Sequence, residues 1–134
     1  MQITHWLRHI LIVAATAAIT ALQAFPATAQ PSSSAMDEIQ YLLAAMERSG
    51  CEFQRNGSWH SAAEARAHLG YKLVEVEMKQ PIRSASEFID AVATRSSISG
   101  EPYRVRCPGA EPVPSATWFQ QTLERYRQTA SPSR

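Results

Sequence analysis

The chain has 134 residues, 13 basic and 12 acidic side chains, and two cysteines. A length of this order holds one domain. The near-neutral balance offers neither the basic footprint of a nucleic-acid binder nor the charge that would draw the chain to anionic lipid.

In chain order, the first 29 residues read as a leader and not as fold. Arg8 lies ahead of an apolar, uncharged run of 13 residues (Ile10–Leu22), and Ala27-Thr28-Ala29 then supplies a small-x-small exit before Gln30. Those are the three parts of a secretory signal peptide. The run falls short of the roughly 18 residues that suggest a transmembrane helix, so no stable membrane insertion is expected after cleavage. The expected mature chain is Gln30–Arg134, periplasmic or secreted, with 12 basic and 12 acidic residues once Arg8 is gone. Residues 30–34 and 129–134 are rich in Ser, Pro and Gln and read as disordered ends around a single domain over 35–128.

Ser34 and Asp37 stand at capping-box spacing, with Met36, Ile39, Leu42, Leu43 and Met46 following at helical spacing and Gly50 as a stop. This predicts a first helix near 35–49. "CEFQR" (51–55) alternates like a strand, and Asn56-Gly57 turns the chain. Ser61 and Glu64 form a second capping box, opening a helix toward Gln80, before Pro81. Ser84 and Glu87 form a third, opening a helix that buries Phe88, Ile89 and Val92. "YRVRC" (103–107) alternates as a second strand. After a Pro-rich connection, Ser115 is placed to cap a last helix with Trp118, Phe119, Thr122, Leu123 and Tyr126 inward. The expected fold is α+β and mainly helical, in the order α-β-α-α-β-α, with one two-stranded antiparallel ribbon.

One register satisfies both strands. Pairing 51 with 107, 53 with 105 and 55 with 103 puts Cys51 opposite Cys107, Phe53 opposite Val105 and Arg55 opposite Tyr103 on one face. Opposed residues lie about 4.5–5.5 Å apart at Cα, within the reach of a disulfide. An even cysteine pair in an exported chain is most simply a bridge, against two free thiols or a nucleophile.

The polar residues that stand out are His60, Glu64, His68 and Lys72, spaced by four. On a helical wheel they run along the flank of the apolar stripe formed by Ala62, Ala65, Leu69, Leu73 and Val76, with Lys72 toward solvent. Glu64 with either histidine is a possible cation or acid–base pair. His60 and His68 would be separated by about 12 Å of helical rise, and a zinc site needs three or four ligands. The competing reading is an ordinary solvated flank. Neither a metal nor a cofactor is called for. Ser96, Ser97 and Ser99 lie in a Gly100-containing loop with no G-x-S-x-G, and are expected to bond backbone groups there.

Three blocks, "SGCEFQRNGSWHSAAEARAHLGYK", "SEFIDAVATRSSISGEPYRVRCPG" and "WFQQTLERYR", occur here in that order. Together they resemble the YfeK-like family of small exported bacterial proteins, a family of unknown function. The resemblance spans about Met36–Arg127 and runs through Arg55, Asn56, Gly57, His60, Glu64, Ala65, His68, Leu69 and Lys72. It continues through Phe88, Ile89, Asp90, Ser96, Ser97, Gly100, Pro102 and Tyr103. It implies a localisation and a candidate surface, but no activity or cofactor.

The register brings Arg55, Asn56 and His60 to the same end of the ribbon as the serine loop and Tyr103. The expected function is non-enzymatic binding of a small ligand or a periplasmic protein. The candidate surface comprises Arg55, Asn56, His60, Glu64, His68, Ser96, Ser97, Ser99 and Tyr103. The alternative is a small hydrolase or metal-dependent protein using His60, Glu64 and His68.

Overall fold

A computed structural model describes residues 34–131. The expected leader (1–29), most of the short N-terminal stretch after it, and residues 132–134 lie outside the described residues. Helix α1 is Ala35–Arg48, strands β1 and β2 are Glu52–Arg55 and Ser58–His60, and helix α2 is Ala62–Glu77. Helix α3 (Ala85–Phe88) runs directly into a π-helical turn (Ile89–Ala93). Strands β3 (Arg104–Arg106) and β4 (Val113–Pro114) precede helix α4 (Ser115–Ala130).

The strands form one antiparallel sheet in the order β2-β1-β3-β4. The β1–β3 ladder has the register read from the sequence: Glu52 faces Arg106, Phe53 faces Val105 and Gln54 faces Arg104. One step beyond the ladder, Cys51 and Cys107 are disulfide-bonded with their Cα atoms 4.1 Å apart. The ladder stops short of the expected Arg55–Tyr103 pair. Arg55 instead pairs with Ser58 across the hairpin, and the Tyr103 N–H donates to the Thr94 carbonyl.

The expected two-stranded ribbon is thus the centre of a four-stranded sheet. The Asn56-Gly57 turn has φ of 49° and 81°. This all-left-handed pair suits the twist of a tight hairpin, and it returns the chain as β2. At the other edge, the Pro-rich connection contributes β4, where Pro114 sits on an edge strand that tolerates the missing N–H.

All the helices lie over one face of the sheet. Phe53 and Val105 point into that layer with Ile39, Leu42, Leu69, Phe88, Val92 and Phe119, all buried. The other face shows Glu52, Arg104 and Arg106 to solvent, the pattern expected of an antiparallel sheet covered on one side. There Arg106 pairs with Glu52 at 2.6 Å and lies over the Trp59 ring at 4.2 Å. Arg104 and Arg106 thus lie on the face opposite to Arg55, so the three arginines form no common basic patch. Trp118 packs edge-on against Phe53, and Tyr126 stacks on Tyr41 of α1.

Both long capping boxes form. The Ser34 hydroxyl accepts from the Asp37 N–H while Asp37 accepts from the Ser34 N–H, and Ser61 and Glu64 repeat the exchange on α2. Three expectations change. Helix α2 ends at Glu77, ahead of Gln80. Ser115 does not cap α4: it is the first helical residue, buried, and its N–H donates to the Tyr103 carbonyl at 2.9 Å. Helix α4 continues to Ala130, so residues 129 and 130 are helical where a disordered tail was expected.

The disulfide spans a sequence separation of 56 residues. In the chain-entropy model, closing a loop of this length stabilises the fold by about 4 kcal/mol. A Cys51→Ala/Cys107→Ala variant is therefore expected to lose about that much unfolding free energy in urea titration. An unchanged midpoint would show that the bridge does not constrain the unfolded chain.

Candidate functional site

A cleft of about 300 Å³ opens between the β1–β2 hairpin and α2. Its apolar side is built from Met46, Phe53, Ala65 and Leu69, and its polar side from Gln54, Arg55, His60, Glu64, His68 and Tyr103. The residues arrive there for separate local reasons. His60 faces Phe53 across the hairpin and so shares the helix side of the sheet with it. Arg55, two residues on from Phe53 in an alternating strand, points to that side as well. Glu64, Ala65, His68 and Leu69 follow one another at helical spacing along α2.

At the inner end, three side chains form a hydrogen-bonded chain. Arg55 Nη1 lies 2.6 Å from His68 Nδ1, and His68 Nε2 lies 3.1 Å from the Tyr103 hydroxyl. A guanidinium has only donors. Nδ1 must therefore accept, the imidazole must be neutral, and its proton must sit on Nε2 and be donated to Tyr103 Oη. Tyr103, having accepted, retains its own hydroxyl proton for another acceptor.

Electrostatics agree with this order. Burial, followed by the charges of Arg55, Lys72 and His60, holds the His68 pKa below its ordinary 6.5, with Glu75 pulling the other way. Burial raises the Tyr103 pKa, opposed by Arg55, so the phenol stays protonated at neutral pH.

Lys72 is a correction. Expected at the solvent edge, it is only 5% exposed. Its ammonium donates to the Arg95 carbonyl and sits 5.0 Å above the centre of the Tyr103 ring. The wheel placed it at the border of the apolar stripe. The 94–103 segment, invisible to a wheel, folds across that border and covers it. Burial lowers its pKa.

Glu64 is spent on its own helix. One carboxylate oxygen accepts from both the Ser61 N–H and the Ser61 hydroxyl at 2.9 Å. Those two bonds hold its pKa below the ordinary carboxylate value. It does not pair with His60 or His68 as a cation site would need. Among the described residues, no group of three or more His, Cys, Asp or Glu side chains is arranged to hold a metal ion.

Asn56, Ser96, Ser97 and Ser99 do not line the cleft. They form the loop beside it. Ser96 Oγ accepts from the Ile98 and Ser99 N–H groups, and Ser99 Oγ accepts from the Glu101 N–H. Ser99 Oγ also donates to Asn56 Oδ1 at 2.6 Å, tying the loop to the hairpin turn. Ser97 is exposed and makes no hydrogen bond to a described residue. Gln54, Met46 and the buried Ser115 complete the cleft, and none of them was expected at the site from the sequence. The alternation of β1 places Gln54 on the outer face, so only its position at the cleft rim could have flagged it.

A family model described as "Family of unknown function (DUF5329)" matches residues 33–127. The chain belongs to this family. It is 37% identical over 88 residues to the uncharacterized protein YfeK of Salmonella typhimurium, an alignment covering 65% of this chain and 72% of that one. No solved structure matches it. The matched region holds the cleft, the serine loop and both cysteines, so the YfeK-like resemblance read from three sequence blocks is the family to which the whole described domain belongs.

The His68 environment has a consequence for stability against pH. A histidine whose folded pKa is lowered binds fewer protons folded than unfolded in the window below about 6.5. Its contribution is complete above that pH and is lost as the pH falls toward the folded value. Glutamine at this position keeps an acceptor for Arg55 and a donor for Tyr103 but does not titrate. Between pH 7.5 and 5.5, the parent protein is expected to lose more unfolding free energy in urea than His68→Gln. Parallel losses in the two proteins would contradict a neutral His68.

Proposed function

We propose that this domain is an exported, non-enzymatic binding protein that takes a small ligand in the cleft between the β1–β2 hairpin and α2. The observation that carries the reading is the cleft itself: an apolar wall faced by convergent polar groups, at the lower end of the volume usual for small-molecule sites. Export is supported by the leader pattern at residues 1–29 and by a disulfide, which persists in oxidising compartments.

The polar groups are held before any ligand arrives. His68 is fixed between Arg55 and Tyr103, and Tyr103 is fastened by its backbone to Thr94 and Ser115. A site held in this way loses little side-chain entropy on binding. The hydrolase reading has less support. A nucleophilic serine needs a base within hydrogen-bond reach, but the serine loop bonds its own backbone and Asn56, outside the cleft. Glu64, the carboxylate such a site would use, is occupied by Ser61.

Amide chemical-shift mapping of the full mature chain against a fragment library tests the reading. Hits are expected to perturb Phe53–Arg55, His60, Ala65–Leu69 and Tyr103 together. A library in which no fragment shifts that set at millimolar concentration would sink it.

A further inference from the structure

Resting on that binding role, we infer that the cleft selects a small carboxylate with an apolar body, its carboxylate on Arg55 and Tyr103 and its body against Phe53, Leu69 and Met46. The starting observation is an arginine without an acid. The ion pairs among the described residues are Arg66–Glu47, Arg106–Glu52 and Arg127–Glu38. Arg55 is in none of them. Its single side-chain hydrogen bond to a described residue is the one from Nη1 to His68. A guanidinium has five N–H donors, so four remain for solvent or a ligand.

The His68 contact orients this cation without neutralising it. A neutral imidazole accepts one proton and holds the guanidinium at the cleft wall, leaving its positive charge uncompensated. Arg66, the other half-buried arginine, is held by Glu47 at 3.1 Å, as the exposed Arg106 and Arg127 are held by carboxylates at 2.6 and 2.7 Å. The Tyr103 phenol adds a second donor on the same side, because its oxygen already accepts from His68. Two donor groups of the cleft lining, one on either side of His68 and one of them a charged planar fork, offer partners to a carboxylate.

The opposite wall sets the rest of the ligand. Phe53 and Leu69 are buried core residues whose surfaces also line the cleft, with Met46 behind them. Removing an apolar group from water against them is favourable in proportion to its area. Arg55 is the one arginine or lysine lining the cleft, and one such cation beside an apolar wall favours a monoanion with a hydrophobic body over a multiply charged phosphate. Glu64 is the one carboxylate lining the cleft; it is solvent-exposed and bonded to Ser61, so its repulsion of an incoming anion is screened.

Calorimetric titration of the full mature chain with phenylacetate, 2-phenylacetamide and acetate tests the inference. Phenylacetate is expected to bind about ten- to a hundredfold more tightly than its neutral amide, the range for a charge-assisted hydrogen-bonded pair. Acetate is expected to bind more weakly than phenylacetate for want of the apolar body. Arg55→Gln should bring the acid and the amide to equal affinity, while Arg55→Lys should keep a reduced preference for the acid. The lysine variant retains the charge and serves if the glutamine variant does not fold. Equal binding of acid and amide by the parent protein, with shifts still confined to the cleft, would overturn carboxylate selection and leave the binding role standing. The absence of cleft binding by any fragment in the library would remove both.

Discussion

The register between β1 and β3 is the constraint on which the rest of the domain depends. Pinned by the Cys51–Cys107 bridge one step beyond the ladder, it leaves Phe53 and Val105 facing each other under the helices. A one-residue slip would turn Phe53 outward and bring Glu52 and Gln54 into the core, because side chains alternate along a strand. The same register decides what lies past the other end of the ladder. Arg55 emerges on the helix side, and Tyr103 arrives beside it with its N–H on Thr94 and its carbonyl on Ser115. Two residues 48 positions apart in the chain are thereby held on the same His68 ring.

That meeting imposes a chemical order. Buried polar groups must be satisfied, and a network that satisfies each member is rigid. The guanidinium cannot accept, the imidazole must, and the phenol is left as a donor. Lys72 supports the far side of the Tyr103 ring and fastens the Arg95 carbonyl, so a residue expected to be solvated is a strut behind the cleft. The serine loop is a second strut, joined to the hairpin through Asn56 and Ser99. Polar residues that look like a catalytic inventory in one dimension divide in three into a few that face the cleft and a larger set that hold them there.

Much of this was legible in the sequence, for identifiable reasons. Capping boxes at Ser34 and Ser61 act over three residues, so their geometry is written locally. The register of β1 and β3 could be read because alternation and two cysteines agree on it. Strands β2 and β4, of three and two residues, are too short to show a period, and the second contains proline. The π-helical turn at Ile89–Ala93 shares its residue preferences with an ordinary helix. Its Ile89 carbonyl is taken by the Thr94 hydroxyl at 2.7 Å, a contact visible only in three dimensions. Lys72 and Ser115 were misplaced because each is covered by a segment distant in sequence. Three members of the ladder, His60, Glu64 and His68, line one cleft, but the even spacing suggested a unity it does not have: His60 lies on a strand, Glu64 in a cap, His68 in a relay and Lys72 against a ring.

The central claim is the direction of that relay, since an uncompensated Arg55 and a donating Tyr103 both follow from it. Long-range nitrogen–proton correlation spectra of the histidine side chains at neutral pH observe it directly. The donor-only guanidinium requires His68 to show a bare, accepting Nδ1 and a protonated Nε2. A proton on Nδ1, in either the other neutral tautomer or the imidazolium, would contradict it and remove the ground for the proposed carboxylate selection.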